Sequence, residues 1–160
     1  MKLSLFSDYS LRTLHFAALK ADTFQIDEVT AAYGISRHHL AKVVQNLSHL
    51  GYLETRRGRH GGIRLSVAPE KVLLGQFLKK MEQESLLLEC FDPAQNTCPI
   101  MGCCRLKGIL ATALQAFFNE LDKYTLTDLI TEKYRSRLTE ILLPPPQTGA
   151  PTVSGPRLDE

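Results

Sequence analysis

A mainly α-helical chain with one small β-hairpin is predicted by three features of the sequence. Apolar residues recur at helical spacing in several separate segments, the longest of them from residue 105 to about 123. Only Gly34, Ile35 and Ser36 separate two of the helical segments, which is helix-turn-helix spacing. Directly afterwards a basic, glycine-rich loop, Arg56-Arg57-Gly58-Arg59-His60-Gly61-Gly62, lies between two strand-like runs.

Ser7 is placed to cap a first helix reaching about residue 20, with Leu11, Leu14 and Ala18 as its stripe and Leu19 beside it. Asp27 caps a short second helix carrying Val29, Ala32 and Tyr33, and Gly34 stops it. Ser36 caps a third helix striped by Leu40, Val43, Val44 and Leu47, which Gly51 ends. Tyr52 to Thr55 read as one strand, and Ile63, Leu65 and Val67, alternating with Arg64 and Ser66, as a second. A hairpin set behind a helix-turn-helix makes a winged helix-turn-helix, with the basic loop as the wing. Pro69 suits the first turn of a fourth helix striped by Leu74, Phe77, Leu78 and Met81.

Cys90 to Cys104 contains Pro93, Pro99 and Gly102 without periodicity and reads as a loop. From residue 105 to about 123, Leu106, Leu110, Ala113, Phe117 and Leu121 form one apolar face on a helix long enough to project from a small domain. That helix is the expected dimer seam. A last helix starts near Thr127 and includes Leu129, Ile130, Leu138 and Ile141. From Pro144 onward the chain is rich in proline and poor in hydrophobes, the composition of a disordered tail. The expected organisation is a DNA-binding domain over 1–82, a cysteine-rich cluster-binding loop over 83–104, dimerisation and terminal helices over 105–143, and a tail over 144–160.

The chain has 160 residues, 44% hydrophobic and 22% charged, enough to bury a core without staples. Nineteen Lys and Arg against seventeen Asp and Glu leave +2, which excludes a histone-like cation and an acidic disordered chain. No run approaches the roughly 18 consecutive apolar residues of a membrane helix. Ser and Asp break the opening MKLSLFSDYS before a signal-peptide core can form, so a cytoplasmic location is expected. Residues 1–64 hold nine Lys/Arg and five Asp/Glu, whereas residues 65–160 hold ten and twelve. A basic front half suggests an anion-binding module. No Ser-His-Asp set, paired-carboxylate motif, P-loop or GxGxxG run is present, and an enzyme is not expected.

Ser36, Arg37, His38, His39 and Lys42 lie near the start of the third helix, opposite its apolar stripe. In helix-turn-helix proteins such residues meet base edges in the major groove. Arg can pair bidentately with guanine, while Lys and His more often touch phosphate. Arg56, Arg57, Arg59 and His60 of the wing suit phosphates or a minor groove. Double-stranded promoter DNA is the expected partner, and a winged helix used for protein–protein contact is the competing reading. His15 and His49 have no evident partner and read as packing or surface residues.

Cys90, Cys98, Cys103 and Cys104 do not follow the paired C-x-x-C pattern of a zinc ribbon. Adjacent cysteines point in different directions, so the ligand set is Cys90, Cys98 and one of the pair. Soft thiolates suit an iron–sulfur cluster or zinc. A fourth, unusual ligand would leave a cluster open to small reactive molecules, as a sensor requires. The alternative is four reduced thiols without metal.

Several motifs carry a resemblance. They are LSLFSDYSLRTL, ISRHHLAKVVQNLSHLGYLETRRGRHGGIRL, the C-x7-C-x5-C spacing closing in Cys104-Arg105-Leu106-Lys107, and TLTDL. Together they resemble the NsrR branch of the winged-helix regulators, the nitric-oxide-sensing iron–sulfur repressors of the family that also holds IscR. The resemblance covers residues 1 to about 130. It implies a bacterial, homodimeric transcriptional repressor, with nitric oxide as effector and nitrosylation releasing it from promoter DNA. It puts metal ligands at Cys90, Cys98 and Cys104, leaving Cys103 as an extra. Asp8 of the partner subunit would complete a 4Fe–4S cluster. Without the resemblance, Asp8 is a first-turn carboxylate favoured by the helix dipole. Arg12, one turn on, can pair with Asp8 and hold it. An IscR-like regulator sensing iron–sulfur or redox status through a 2Fe–2S cluster is the alternative. That branch has a His three residues after the last Cys, where this chain has Lys107.

Overall fold

The computed structural model describes residues 3–58, 61–82, 88–92, 94 and 96–145. Helix α1 (Leu5–Lys20) runs through the centre and buries Leu14, Phe16, Ala17, Ala18 and Leu19. Its cap is Ser4 rather than Ser7. Ser4 Oγ accepts from Ser7 N at 3.1 Å, while Ser4 N and Oγ both donate to Glu82 Oε1 at 2.9 Å. That tertiary anchor starts the helix early and leaves Ser7 fully buried inside it. Ser10 and Thr13 are also buried, and their hydroxyls donate to the carbonyls of Phe6 and Tyr9, both at 2.7 Å. Back-bonding of this kind removes the cost of burying them.

Helix α2 (Ile26–Tyr33) is capped at Gln25, not Asp27, because Glu28 reaches back to accept from Gln25 N at 2.8 Å. Asp27 falls in the first turn, where its charge favours the helix dipole. Gly34, at φ 66°, ends α2. Ser36 accepts from His39 N and opens α3 (Arg37–His49), with Leu40, Val43, Val44 and Leu47 buried as expected. Strands β1 (Leu53–Arg56) and β2 (Gly62–Leu65) pair antiparallel, Leu53 opposite Leu65 and Glu54 opposite Arg64. The loop before α2 joins this hairpin, since Phe24 and Ile63 exchange backbone hydrogen bonds of 2.9 and 2.8 Å. Gly62 makes room for it, because a Cβ there would lie 2.3 Å from Thr23 Cγ2.

Pro69 opens only a single 3-10 turn (Pro69–Lys71), and α4 (Leu74–Met81) begins later than expected. Residues 72 and 73 are held extended by Leu126 N donating to Val72 O and Leu74 N to Tyr124 O, each at 3.0 Å. Helix α5 (Arg105–Leu121) is rooted on α4, where Asp122 Oδ1 accepts from Gln76 N at 2.7 Å. Gly75 lets the two backbones meet, since a Cβ would sit 2.1 Å from Phe118 O. The expected stripe on α5 is covered only near this root. Phe117 and Leu121 pack on the core, whereas Leu106 is 56% exposed and Ala113 is also exposed.

The expected terminal helix is divided into a 3-10 turn (Leu126–Ile130) and α6 (Glu132–Leu142). Asp128 Oδ2 accepts from Thr125 N and Oγ1 at 2.7 and 2.8 Å, which tightens the first part, and extended Thr131 separates it from the second. The register shifts with the break, so Leu142 is buried and Ile141 is 54% exposed. Of the expected tail, residues 146–160 lie outside the described residues.

His15 shares a 3.3 Å hydrogen bond between its Nδ1 and the Tyr33 hydroxyl, and His49 is exposed. Burial lowers the His15 pKa from 6.5 and raises that of Tyr33 from 10.0 to about 12. The folded chain therefore keeps both neutral. The His15 contribution to stability is whole above pH 6.5 and is lost as pH falls through the folded value. The Tyr33 contribution is whole below pH 10.0 and is lost as pH rises towards about 12. Urea midpoints are expected to fall on both sides of neutrality, and His15→Gln should flatten the acid limb. An unchanged acid limb in that variant would remove His15 from the account.

Candidate nucleic-acid interface and cysteine segment

The first turn and a half of α3 exposes Ser36, Arg37, His38, His39 and Lys42. Ser36 Oγ lies 2.9 Å from His39 Nδ1, and the Tyr9 ring sits 6.0 Å from that of His39. Arg37 is not free. Its Nε donates to Asp27 Oδ1 at 2.7 Å, linking the first residue of α3 to the first turn of α2.

On the hairpin, Glu54 lies opposite Arg64 and two residues before Arg56, so all three share one face. Glu54 Oε1 accepts from Arg64 Nε and, at 3.0 Å, from Arg56 Nε. The Arg64 hydrogen bond, with help from Arg56, holds the Glu54 carboxyl below its usual range. Arg57 is exposed and, among the described residues, makes no ion pair. Arg59 and His60 lie outside the described residues. A groove of about 340 Å³ between the starts of α2 and α3 and the wing brings Arg37 and Arg56 to one site, with Asp27, Gly58 and Gly61 also on its wall. Gln25 Nε2 donates to Gly61 O at 2.7 Å and ties the wing to the start of α2. Sequence reasoning missed the Gln25, Asp27 and Glu54 contacts. Hairpin register alone signals the Glu54–Arg64 pair, whereas the other two need the tertiary fold.

All four cysteines are free thiols. Cys90 is half-buried in a 3-10 turn (Glu89–Phe91), and Cys98 is half-buried beyond it. Glu89 Oε1 accepts from Thr97 N and Oγ1 at 3.2 and 3.0 Å, folding the segment back so that the two stretches meet. Cys103 is exposed, with its Sγ 3.5 Å from Ile100 O. Cys104, half-buried, is the N-cap residue of α5 and makes no side-chain cap bond. Among the described residues no three His, Cys, Asp or Glu side chains lie close enough to hold a metal ion. Asp8 and Arg12 form a two-point pair, Nε to Oδ1 at 3.0 Å and Nη2 to Oδ2 at 2.9 Å, and Arg12 lies 5.7 Å from the Tyr33 ring centre. That hydrogen bond to Asp8 raises the Arg12 pKa further. Among the described residues no helix is long and apolar enough to cross a membrane.

The chain is 45% identical over 135 residues to the HTH-type transcriptional regulator NsrR of Bacillus subtilis (strain 168), covering 83% of this chain and 92% of that one. It is 42% identical over 144 residues to the HTH-type transcriptional regulator NsrR of Geobacillus kaustophilus, covering 88% and 98%. Among solved structures it resembles the oxidized form of Staphylococcus aureus CymR, with TM-score 0.59 and 26% identity over 79% of this chain and 93% of that one. T. potens IscR, at TM-score 0.65 and 16% identity over 86% and 91%, shares the fold. Residues 3–132 match the Rrf2 family. The chain therefore belongs to the Rrf2 family of iron-dependent transcriptional regulators and is not an enzyme.

Proposed function

We propose that this protein is a homodimeric repressor of the bacterial cytoplasm whose hold on promoter DNA depends on an iron–sulfur cluster and is lost on exposure to nitric oxide. The observation that carries the reading is the single groove lined by Arg37 of α3 and Arg56 of the wing. In this reading residues 1–82 bind DNA, residues 83–104 carry the cluster ligands and residues 105–143 pair the subunits, with 144–160 as an appended tail. Ser36, Arg37, His38, His39 and Lys42 meet the major groove. Arg56, Arg57, Arg59 and His60 meet the backbone or a minor groove.

The donor set fits a cluster chemically. Three thiols, none spent in a disulfide, stand on one short segment that ends at the start of α5. Cys90, Cys98 and Cys104 would hold the cluster, with Asp8 of the partner subunit as fourth ligand and Arg12 fixing that carboxylate. When bound, the cluster supplies iron that reacts with nitric oxide. The uncovered part of α5, with Leu106 56% and Ile109 55% exposed, supplies apolar surface for the subunit seam. A link from Cys104 at the head of α5 to Asp8 on a neighbouring α1 would couple that seam to α3, because α1 packs on α3. The names of the NsrR relatives and the iron dependence in the family description support an iron–sulfur cluster, which this reading takes to be 4Fe–4S.

Iron and acid-labile sulfide per chain, measured on protein purified without oxygen, test this reading. About four of each are expected. Nitric oxide titrated into a complex with promoter DNA should then release the protein. About two of each favour the IscR-like 2Fe–2S reading, and neither element after anaerobic reconstitution removes the sensor.

A further inference from the structure

The Asp27–Arg37 pair has a specific geometry. Asp27 accepts from Arg37 through Nε. A guanidinium has five donors in a fixed plane, so this grip leaves both Nη groups unspent. Among the described residues Arg37 makes no other ion pair. Arg37 is the first residue of α3 and Asp27 stands in the first turn of α2, so the pair bridges the two halves of the helix-turn-helix. Both side chains are open to solvent, at 68% and 69% exposure, so the pair adds little to stability. The two remaining Nη groups can pair bidentately with guanine O6 and N7.

Resting on the DNA-binding reading above, we propose that Arg37 reads a guanine in the major groove and that Asp27 is the positioning residue that aims it. A phosphate contact tolerates many arginine rotamers, whereas a bidentate base contact needs one. Asp27 also places a negative charge on a DNA-facing surface, which opposes backbone binding at sites without that guanine. Discrimination therefore gains at both ends. Arg57, which has no such partner among the described residues, stays a sequence-blind phosphate contact.

The test uses two probes, a random-sequence duplex and a duplex selected by the wild-type, cluster-loaded protein from a random pool. Asp27→Asn is expected to weaken binding to the selected duplex roughly tenfold while leaving the random duplex bound as well or better. In an Arg37→Ala background the same substitution is expected to weaken neither probe, the lost negative charge acting alike on both. Replacing the contacted guanine by 7-deazaguanine should weaken the wild type and leave Arg37→Ala unaffected. Equal effects of Asp27→Asn on both probes, or its full effect surviving in Arg37→Ala, would overturn the proposal. A wild-type protein that binds no duplex would overturn the DNA-binding reading and this proposal together.

Discussion

Changing Arg56, Arg57 and Arg59 together to alanine is expected to weaken binding to promoter duplex roughly a thousandfold near 0.1 M salt. These residues carry three of the nine basic charges in residues 1–64, within four consecutive positions. Each phosphate neutralised contributes about 0.9 to the slope of log affinity against log salt. The proposed dimer, losing six arginines, should therefore have a slope flatter by roughly 5. The two readouts separate the causes, because loss of fold would abolish binding at every salt concentration. Arg57 should contribute more than Arg56, since Arg56 and Arg64 both pair with Glu54. Fluorescence anisotropy across a salt series measures both quantities, and an unchanged slope would exclude the wing from the backbone contact.

The second large effect is expected at Gly75. Alanine is the better helix former by about 1 kcal/mol, so an open helical site would gain from the change. Gly75 is not open. Its missing Cβ would meet Phe118 O at 2.1 Å and Asp122 Oδ1 at 2.6 Å, the first being backbone that cannot rotate away. Asp122 would also be pushed off Gln76 N, the contact that serves the start of α4. Overpacking of this kind outweighs the propensity gain, and Gly75→Ala should cost about 3 kcal/mol. Urea unfolding of the two proteins gives the difference directly. Equal midpoints would show that α5 can slide on α4 without penalty.

The elements that were legible in the sequence are those punctuated locally. Gly34 and Gly51 take left-handed conformations, and Ser36 supplies its own cap, so α2 and α3 stand close to where their residues put them. Two of the displaced boundaries trace to partners far along the chain. Ser4 outcompetes Ser7 because Glu82 waits 78 positions away, and α4 starts late because residues 124–126 hold residues 72 and 73 extended. Ile141 and Leu142 are equally apolar, and only the break at Thr131 decides which faces inward. The basic turn of α3 was legible from its position opposite an apolar stripe. Its carboxylate partner was not, because Asp27 and Arg37 belong to different helices. The cysteines were legible by type and spacing as an expected soft-metal set. Their roles came from resemblance, since one chain does not gather the thiols into a site among its described residues.

The rooting of α5 on α4 has a mechanical meaning. The helix has 17 residues, which makes a rod of about 26 Å. Its C-terminal end is pinned at Gly75 and Asp122, and Cys104 rides at the other. With the pivot fixed at one end, the rod acts as a pointer, and a tilt of about 5° carries Cys104 through roughly 2 Å. Restraining Cys104 to within about 0.5 Å fixes the pointer's angle, and with it the orientation of the winged unit, to roughly 1°.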